Sequence, residues 1–276
     1  MKVILYFSFI ILILPRYSQN ANNYKITYEL TYKPDTTDLN QIKKERMLLY
    51  TNSKSSLFLS YGRILKDSMR GKFGIGDIGS TAYKKASAAA KTDFSYRLYK
   101  RPLESEVFHC LKITTDNYYY SEISSFDWQI NQETKTILGY SAQKATAHFA
   151  GRYYEAWFST EIAIPEGPYK FSGLPGLILE ISSTDKDYKF SIVGLEKTSF
   201  FPVSQIPPKS FQQSPKKELL ELQKEYYNDP IGFINNWVGK GGRTVHIGLQ
   251  GKAKRDHYAK YGKSGMPSLN NFLELD

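Results

Sequence analysis

The alternation of apolar and polar residues between Tyr24 and Tyr32 constrains the fold of this chain more than any other feature of its sequence. Aromatic or aliphatic residues occupy every second position of this stretch, and polar residues fill the positions between them. Successive side chains of a β-strand point to opposite faces, so this pattern predicts a half-buried strand. A helix would instead repeat its apolar positions every three or four residues.

Similar patterns recur along the chain, separated by short polar turns. Further strands are predicted at 47–50, 56–60, 94–99, 107–114, 117–121, 128–130, 136–138, 144–149, 153–158, 177–181 and 188–193. A polar turn is expected at 131–133 between two of them, and Ala86–Ala90 reads as a short helix or a loop. Many strands with short connections are typical of antiparallel sheets. The predicted fold is mainly β, an antiparallel β-sheet that is rolled or sandwiched, with short C-terminal helices.

The N-terminus has the organisation of a secretory signal peptide. An apolar run, Val3–Pro15, follows Lys2 and is itself followed by small polar residues. This order predicts export, with cleavage between Ser18 and Ala21, and residues 1–19 as the signal. The alternative is a retained membrane anchor, although a spanning helix needs about 20 apolar residues.

The remaining chain divides by composition. Residues 20–200 contain the strand patterns and are predicted to form the β domain. Residues 201–238 form a proline-marked linker and a helical segment, because Ser214-Pro215 resembles a helix start and a second short helix fits 231–238. Residues 239–276 are rich in glycine and basic side chains, and a basic, flexible tail is predicted there.

The charge of the chain favours anionic partners. The formal net charge is +10, and without Lys2 and Arg16 it is +8, since 35 basic residues then face 27 acidic ones. Outside the cytoplasm such a balance favours an outer-membrane protein, a lipid or another anionic envelope component over nucleic acid. Solubility alone is the alternative explanation, and the partner itself stays unidentified.

Signatures of catalysis and of cofactor binding are weak. The four histidines show no metal-ligand spacing, and no serine-nucleophile motif occurs. The glycines at 74, 76 and 79 match a dinucleotide pattern, but no apolar strand precedes them as that fold requires. The single Cys110 lies in a strand pattern and is predicted to be a buried thiol. The sequence therefore predicts no catalytic residue, no metal ligand and no cofactor, and favours a non-enzymatic protein without deciding the question.

The hexapeptide Gly173–Ile178 is predicted to be a structural corner. Proline presets φ and glycine supplies a positive φ, so Pro175-Gly176 predicts a type II turn. Leu174 and Leu177 flank the turn and are expected to be buried together, with a strand following. None of the six side chains can transfer a proton or bind a metal.

The same hexapeptide, Gly173-Leu174-Pro175-Gly176-Leu177-Ile178, is similar to the motif that names the GLPGLI family of secreted proteins of Gram-negative bacteria. Further similar positions are Tyr28, Met47-Leu48, Ser56–Phe58, Trp128, Glu133–Lys135, Gly139-Tyr140, Gln143–Ala145, Ala156–Ser159, Ile164-Pro165 and Gly167–Tyr169. The resemblance implies an exported protein, periplasmic or associated with the outer membrane, and it supplies no catalytic residues because the family's activity is unassigned. Many members have a cysteine where this chain has Ala142.

The leading functional hypothesis is a non-enzymatic binding or envelope-assembly protein. Trp128, Tyr154, Trp157 and Tyr169 are candidates for the aromatic lining of a ligand site, and ordinary core packing is the alternative for each. A periplasmic hydrolase or metalloenzyme is the second hypothesis. The third is a structural module that contacts an outer-membrane partner through the basic tail.

Overall fold

A computed structural model of the protein describes residues 23–35, 38, 40–52, 54–114, 116–229, 232–233 and 274. The predicted signal peptide therefore lies outside the described residues, as do the basic tail except Glu274 and most of the predicted helix at 231–238. No helix within these ranges is long and apolar enough to cross a membrane. The predicted domain boundaries stay predictions.

Strands dominate the described part of the chain. The strands are β1 (Asn23–Tyr32), β2 (Lys43–Thr51), β3 (Ser56–Ser60), β4 (Arg97–Arg101), β5 (Glu106–Ile113), β6 (Asp116–Ile123), β7 (Gln129–Ile137), β8 (Tyr140–Phe149), β9 (Arg152–Ser159), β10 (Leu177–Ser183), β11 (Tyr188–Thr198) and β12 (Gln212–Gln213). The α-helices are α1 (Tyr61–Lys72), α2 (Thr81–Ala89) and α3 (Lys216–Asn228).

All twelve strands belong to one sheet. Their order is β12-β6-β5-β4-β3-β2-β1-β11-β10-β9-β8-β7, and neighbours are antiparallel except for β12, which is parallel to β6. The prediction of a mainly β protein on an antiparallel sheet with helix near the C-terminus is confirmed. Because β1 pairs with both β2 and β11, the sheet joins the first and last long strands of the described residues.

Two local predictions differ from the structure. The turn predicted at 131–133 is wrong, because β7 continues through it and a register shift between Ile130 and Thr134 accommodates the polar residues against β8. β7 is also the last strand of the sheet, where exposed polar side chains are tolerated. Helix α1 forms where no pattern was recognised, and Gly62 allows its close approach to the chain at Lys91.

The sheet is buried on both faces. The alternation in β1 places Ile26, Tyr28, Leu30 and Tyr32 in the main core, as the sequence predicted. A second apolar cluster lies on the opposite face of β2–β5, where residues 199–211 cover it. The central strands therefore contribute buried side chains to both sides.

The connection between β9 and β10, residues 160–176, crosses the main-core face and is called the crossing loop here. Its Glu166 forms an ion pair with Lys100 of β4, and both side chains are only 2% exposed. Ser56 donates a hydrogen bond of 2.8 Å to Oε1 of Glu166, and Lys100 donates one of 3.1 Å to the carbonyl of Gly167. These polar contacts fix the loop against strands distant from it in sequence.

Neutralising Glu166 is expected to destabilise the fold strongly. Glu166→Gln leaves the buried Lys100 ammonium without its counter-charge, and removing one partner of a buried pair costs about 3–5 kcal/mol. Chemical unfolding of the purified protein measures the loss. Glu133→Gln is the matched control, since its side chain is 63% exposed and an ion pair at the surface contributes little to stability.

A double variant separates charge from volume. Lys100→Met with Glu166→Leu removes both charges while keeping apolar bulk, so most of the lost stability is expected to return. Equal losses in Glu166→Gln and Glu133→Gln would contradict the importance of this pair.

Candidate functional site

The hexapeptide 173–178 forms the corner that leads into β10. Gly173 has a φ of +89°, and the N–H of Gly176 bonds to the carbonyl of Leu174 at 2.7 Å, closing a three-residue turn around Pro175. Gly176 does not have a positive φ, so the predicted type II turn is wrong. Gly176 is instead required by space, since a Cβ there would lie 2.0 Å from the carbonyl oxygen of Ser159.

Backbone hydrogen bonds hold this corner in the core. Leu174, Leu177 and Ile178 are buried. The N–H of Ile178 bonds to the carbonyl of Glu166 at 2.9 Å, and the hydroxyl of Tyr28 donates to the carbonyl of Ile178 at 2.7 Å. These contacts hold the backbone of the hexapeptide in place and involve none of its side chains as donors or acceptors.

Three of the four aromatic residues predicted to line a site lie around the crossing loop. The indole of Trp128 donates to the carbonyl of Ser172 at 2.8 Å, and the rings of Tyr154 and Tyr169 contact Phe171. Trp157 lies three residues from Tyr154 on β9, and strand alternation puts it on the other face, where Lys135 sits 4.2 Å from its ring centre. Tyr154, Trp157 and Tyr169 nevertheless belong to the main core cluster and Trp128 packs against it, which fits the alternative of ordinary core packing.

A different concave site lies on the face opposite the crossing loop. It is a groove of about 610 Å³ between α1, the strands β2–β6 and residues 200–211, and we call it the arginine groove. Apolar and aromatic side chains form much of its lining: Tyr50, Leu57, Leu59, Ile64, Tyr99, Phe200, Pro202, Pro208 and Phe211.

Three elements bring cationic side chains into this groove. Arg63, Asp67 and Arg70 recur at helical spacing on α1, Arg97 comes from β4, and Lys112 comes from β5. Asp67 contacts Arg63 at 3.3 Å and Arg70 at 3.4 Å, and it also pairs with Arg97. Three arginines thus share one carboxylate, and Lys112 adds a fourth cation to the lining.

Arg63 is the most buried of these cations. Its residue exposure is 6%, and its Nε has no hydrogen-bond acceptor among the described residues. Burial lowers the pKa of Arg63, and the nearby Arg97 lowers it further. Burial also lowers the pKa of Lys112, with Arg70 and Arg63 adding to the effect. The groove therefore holds uncompensated positive charge beside an apolar surface.

The sequence alone does not reveal this groove. Residues 63–70 show no clear strand or helix pattern, and residues 201–211 fall in the predicted linker. The spacing Arg63-x-x-x-Asp67-x-x-Arg70 was the available signal, because it places three charges on one helical face. That spacing alone does not indicate which strands the helix covers.

His109 is the buried histidine of the described chain. Its Nδ1 lies 2.9 Å from the hydroxyl of Tyr120. Burial, reinforced by the charge of Lys170, lowers the pKa of His109 to about 3, so the imidazole is neutral at pH 7. His148 is exposed, and His246 and His257 lie outside the described residues. The described ranges contain no group of three or more His, Cys, Asp or Glu side chains arranged for a metal.

Cys110 is buried, and burial raises the pKa of its thiol to about 12. A thiol with so high a pKa carries almost no thiolate at neutral pH, and the thiolate is the reactive form. Cys110 therefore acts as a packing residue between the strands of the second cluster.

Comparison with known proteins gives a family-model match over a short segment and a likeness of fold. The family model described as a protein of unknown function (Porph_ging) matches residues 149–180, which include the hexapeptide. No curated protein matches the sequence. The chain is similar to the structure of PNGF-II in the P21 space group (TM-score 0.53, 15% identity) and to that in the C2 space group (TM-score 0.53, 16% identity).

The likeness to PNGF-II is one of fold alone. Each comparison covers 73% of this chain, but only 33% and 32% of the respective PNGF-II chains, so this protein spans about a third of their length. At this identity the likeness supports the architecture of the sheet and transfers no activity.

Adding a methyl group at Gly176 is expected to destabilise the corner. Gly176→Ala places a Cβ against the Ser159 carbonyl, and overpacking of this kind costs about 1–3 kcal/mol or more. Thermal unfolding measures the loss. Gly76→Ala is the control, because no atom lies within 4 Å of a Cβ there, and similar losses in both variants would refute the steric explanation.

His109 is expected to make the fold sensitive to mild acid. The folded pKa of about 3 lies below the unfolded value near 6.5, so the unfolded state binds the proton first. The stability is complete above pH 6.5 and falls by about 1.4 kcal/mol per pH unit as pH decreases toward 3. Unfolding free energies measured between pH 7 and 4 are expected to show a shallower slope in His109→Gln. In contrast, the exposed control His148→Gln should keep the wild-type slope, and identical slopes in all three proteins would contradict this role.

Proposed function

We propose that this protein is an exported, non-enzymatic binding protein of the GLPGLI type whose arginine groove holds an amphipathic ligand with an anionic head group. The observation that carries the proposal is the unbalanced charge of the groove. Arg63 is buried there with an unpaired Nε, and the groove lining contains four cations, Arg63, Arg70, Arg97 and Lys112, but one carboxylate, Asp67.

The shape and chemistry of the groove support this ligand class. Ligand clefts commonly enclose about 300–1,000 Å³ and combine apolar walls with a few polar groups. The aromatic wall of Tyr50, Tyr99, Phe200 and Phe211 suits an apolar tail, and burying such a tail contributes about 25 cal/mol per Å². A guanidinium presents its donors in a planar fork that matches a carboxylate or phosphate.

Desolvation sharpens the preference for an anion. The buried guanidinium of Arg63 contacts Asp67 but has no acceptor at Nε, so it has lost hydration without gaining a full set of protein acceptors, which is unfavourable. An anionic head group at Arg63 and Arg97 would supply those acceptors and offset the repulsion among the cations. A neutral head group would offer hydrogen bonds but no charge compensation.

Features outside the groove support the cellular setting of the proposal. The signal-like N-terminus favours export, and the net charge of +10 favours anionic partners. The family-model match at 149–180 is compatible with the GLPGLI type, since it contains the hexapeptide. An anionic lipid, or a molecule derived from one, fits this setting.

Calorimetric titration with three probes tests the ligand class. Dodecyl phosphate and dodecanoate are expected to bind below their micelle concentrations, and neutral dodecyl maltoside is expected to bind at least tenfold more weakly. Arg97→Gln removes one head-group donor, so the affinity for both anions should fall at least tenfold.

The matched control is Arg46→Gln. Arg46 is exposed on β2 and does not line the groove, so its loss should change the affinity less than twofold. Equal affinities for anionic and neutral probes, or equal losses in the two arginine variants, would refute the proposed function.

A further inference from the structure

A second charged cluster lies on the main-core side, where the crossing loop meets β6 and the start of α3. Its centre is Lys170, whose side chain is 0% exposed. The Lys170 ammonium pairs with Glu122 of β6 and with Glu274, a residue 104 positions further along the chain. A fully buried ammonium is unfavourable unless carboxylates compensate it, so both partners matter.

The carboxylate of Glu274 receives donors from two separate segments. The hydroxyl of Tyr169, on the crossing loop, donates to its Oε1 at 2.5 Å, and Nζ of Lys216, at the start of α3, lies 3.4 Å from its Oε2. Lys170 completes the set. Three donors from two segments, the crossing loop and α3, therefore converge on one carboxylate.

The residues around Glu274 have the net positive charge that binding of an anion requires. Lys170 and Lys216 together contribute two positive charges, and Glu122, which contacts both, contributes one negative charge. Without Glu274 one positive charge is uncompensated in a mostly buried position. Burial alone would raise the pKa of Glu274, but the attraction of Lys170 and the hydrogen bonds lower it to about 2. The site thus favours an ionised carboxylate at any physiological pH.

We infer that Tyr169, Lys170 and Lys216 form a carboxylate-binding site, the Lys170 site, which Glu274 occupies in cis and which accepts an acidic peptide when Glu274 is absent. The occupant on the chain is the glutamate of the sequence Leu273-Glu274-Leu275, so the expected ligand is a glutamate between apolar residues. The inference rests on the main-core side and is independent of the arginine groove.

Competition for the site tests this inference with the full chain. The probe is a fluorescein-labelled hexapeptide with the sequence of residues 271–276. Its binding to the protein is measured by fluorescence anisotropy. Wild-type protein is expected to bind it weakly, because Glu274 already fills the site, and Glu274→Gln is expected to bind it at least tenfold more tightly. Asp276→Asn is the control, since it removes the same charge two residues away and should resemble wild type.

Specificity for the carboxylate is tested in the same assay. A hexapeptide with glutamine in place of its glutamate should not bind the Glu274→Gln protein. Adding Lys216→Gln to that protein should abolish the gain, whereas adding Lys217→Gln should not, because Lys217 is exposed on the adjacent position of α3. Equal binding by wild type and Glu274→Gln, or a gain that survives Lys216→Gln, would overturn the inference.

Cross-linking of the wild-type protein tests the same site without depending on the folding of a variant. Zero-length carbodiimide coupling joins a carboxylate to a contacting lysine with loss of water, so mass spectrometry should detect Lys216 linked to Glu274. Excess unlabelled hexapeptide is expected to reduce that link and produce a link between Lys216 and the peptide. If the Lys216–Glu274 link is absent, or does not respond to the peptide, the site does not exist as described.

Discussion

The ion pair between Lys100 and Glu166 is the contact on which the arrangement of this fold depends. It joins β4 to the crossing loop inside the main core, although the two residues are 66 positions apart. Two such charges are stable in a core only if their geometry is held, and the surrounding packing provides this: a Cβ on Gly167 would lie 2.7 Å from the Ile178 side chain. The same ion pair helps to position the hexapeptide corner, because the N–H of Ile178 donates to the backbone carbonyl of Glu166.

This placement of the crossing loop decides where a ligand could bind. The loop fills the main-core face with its own aromatic residues, so Tyr154 and Tyr169 pack against Phe171. The opposite face is covered differently, by α1 and by residues 199–211, and the arginine groove lies between them. The contrast in charge is informative. Lys100 has an ion pair and a carbonyl acceptor in the core, whereas Arg63 is almost as buried and retains an Nε without an acceptor.

The alternation of apolar and polar residues predicted most strands from the sequence, and it identified the buried face of β1 residue by residue. Pairing order was not readable, because it depends on contacts between distant segments: β1 lies between β2 and β11, and β12 returns to the edge beside β6. The groove was unpredictable for the same reason. It combines Arg63 of α1, Arg97 of β4 and Phe211, and only the folded sheet brings these three together. Gly176 shows a further limit of prediction from sequence. The Pro175-Gly176 dipeptide predicted a bend, but glycine is required there because any side chain would collide with the backbone carbonyl of a residue on β9.

The segment that matches the family model and the residues that line the arginine groove occupy different parts of the chain. The family-model match at 149–180 covers β9, the crossing loop and the first part of β10, which together contain Glu166 and the hexapeptide corner. Every residue that lines the arginine groove lies outside that range. The corner provides no ionisable side chain, and its contacts are to the backbone and core. A segment of this kind maintains the sheet independently of the outer face, so the selectivity of the proposed binding site should reside in α1, in residues 200–211 and in Arg97, Tyr99 and Lys112 of β4 and β5.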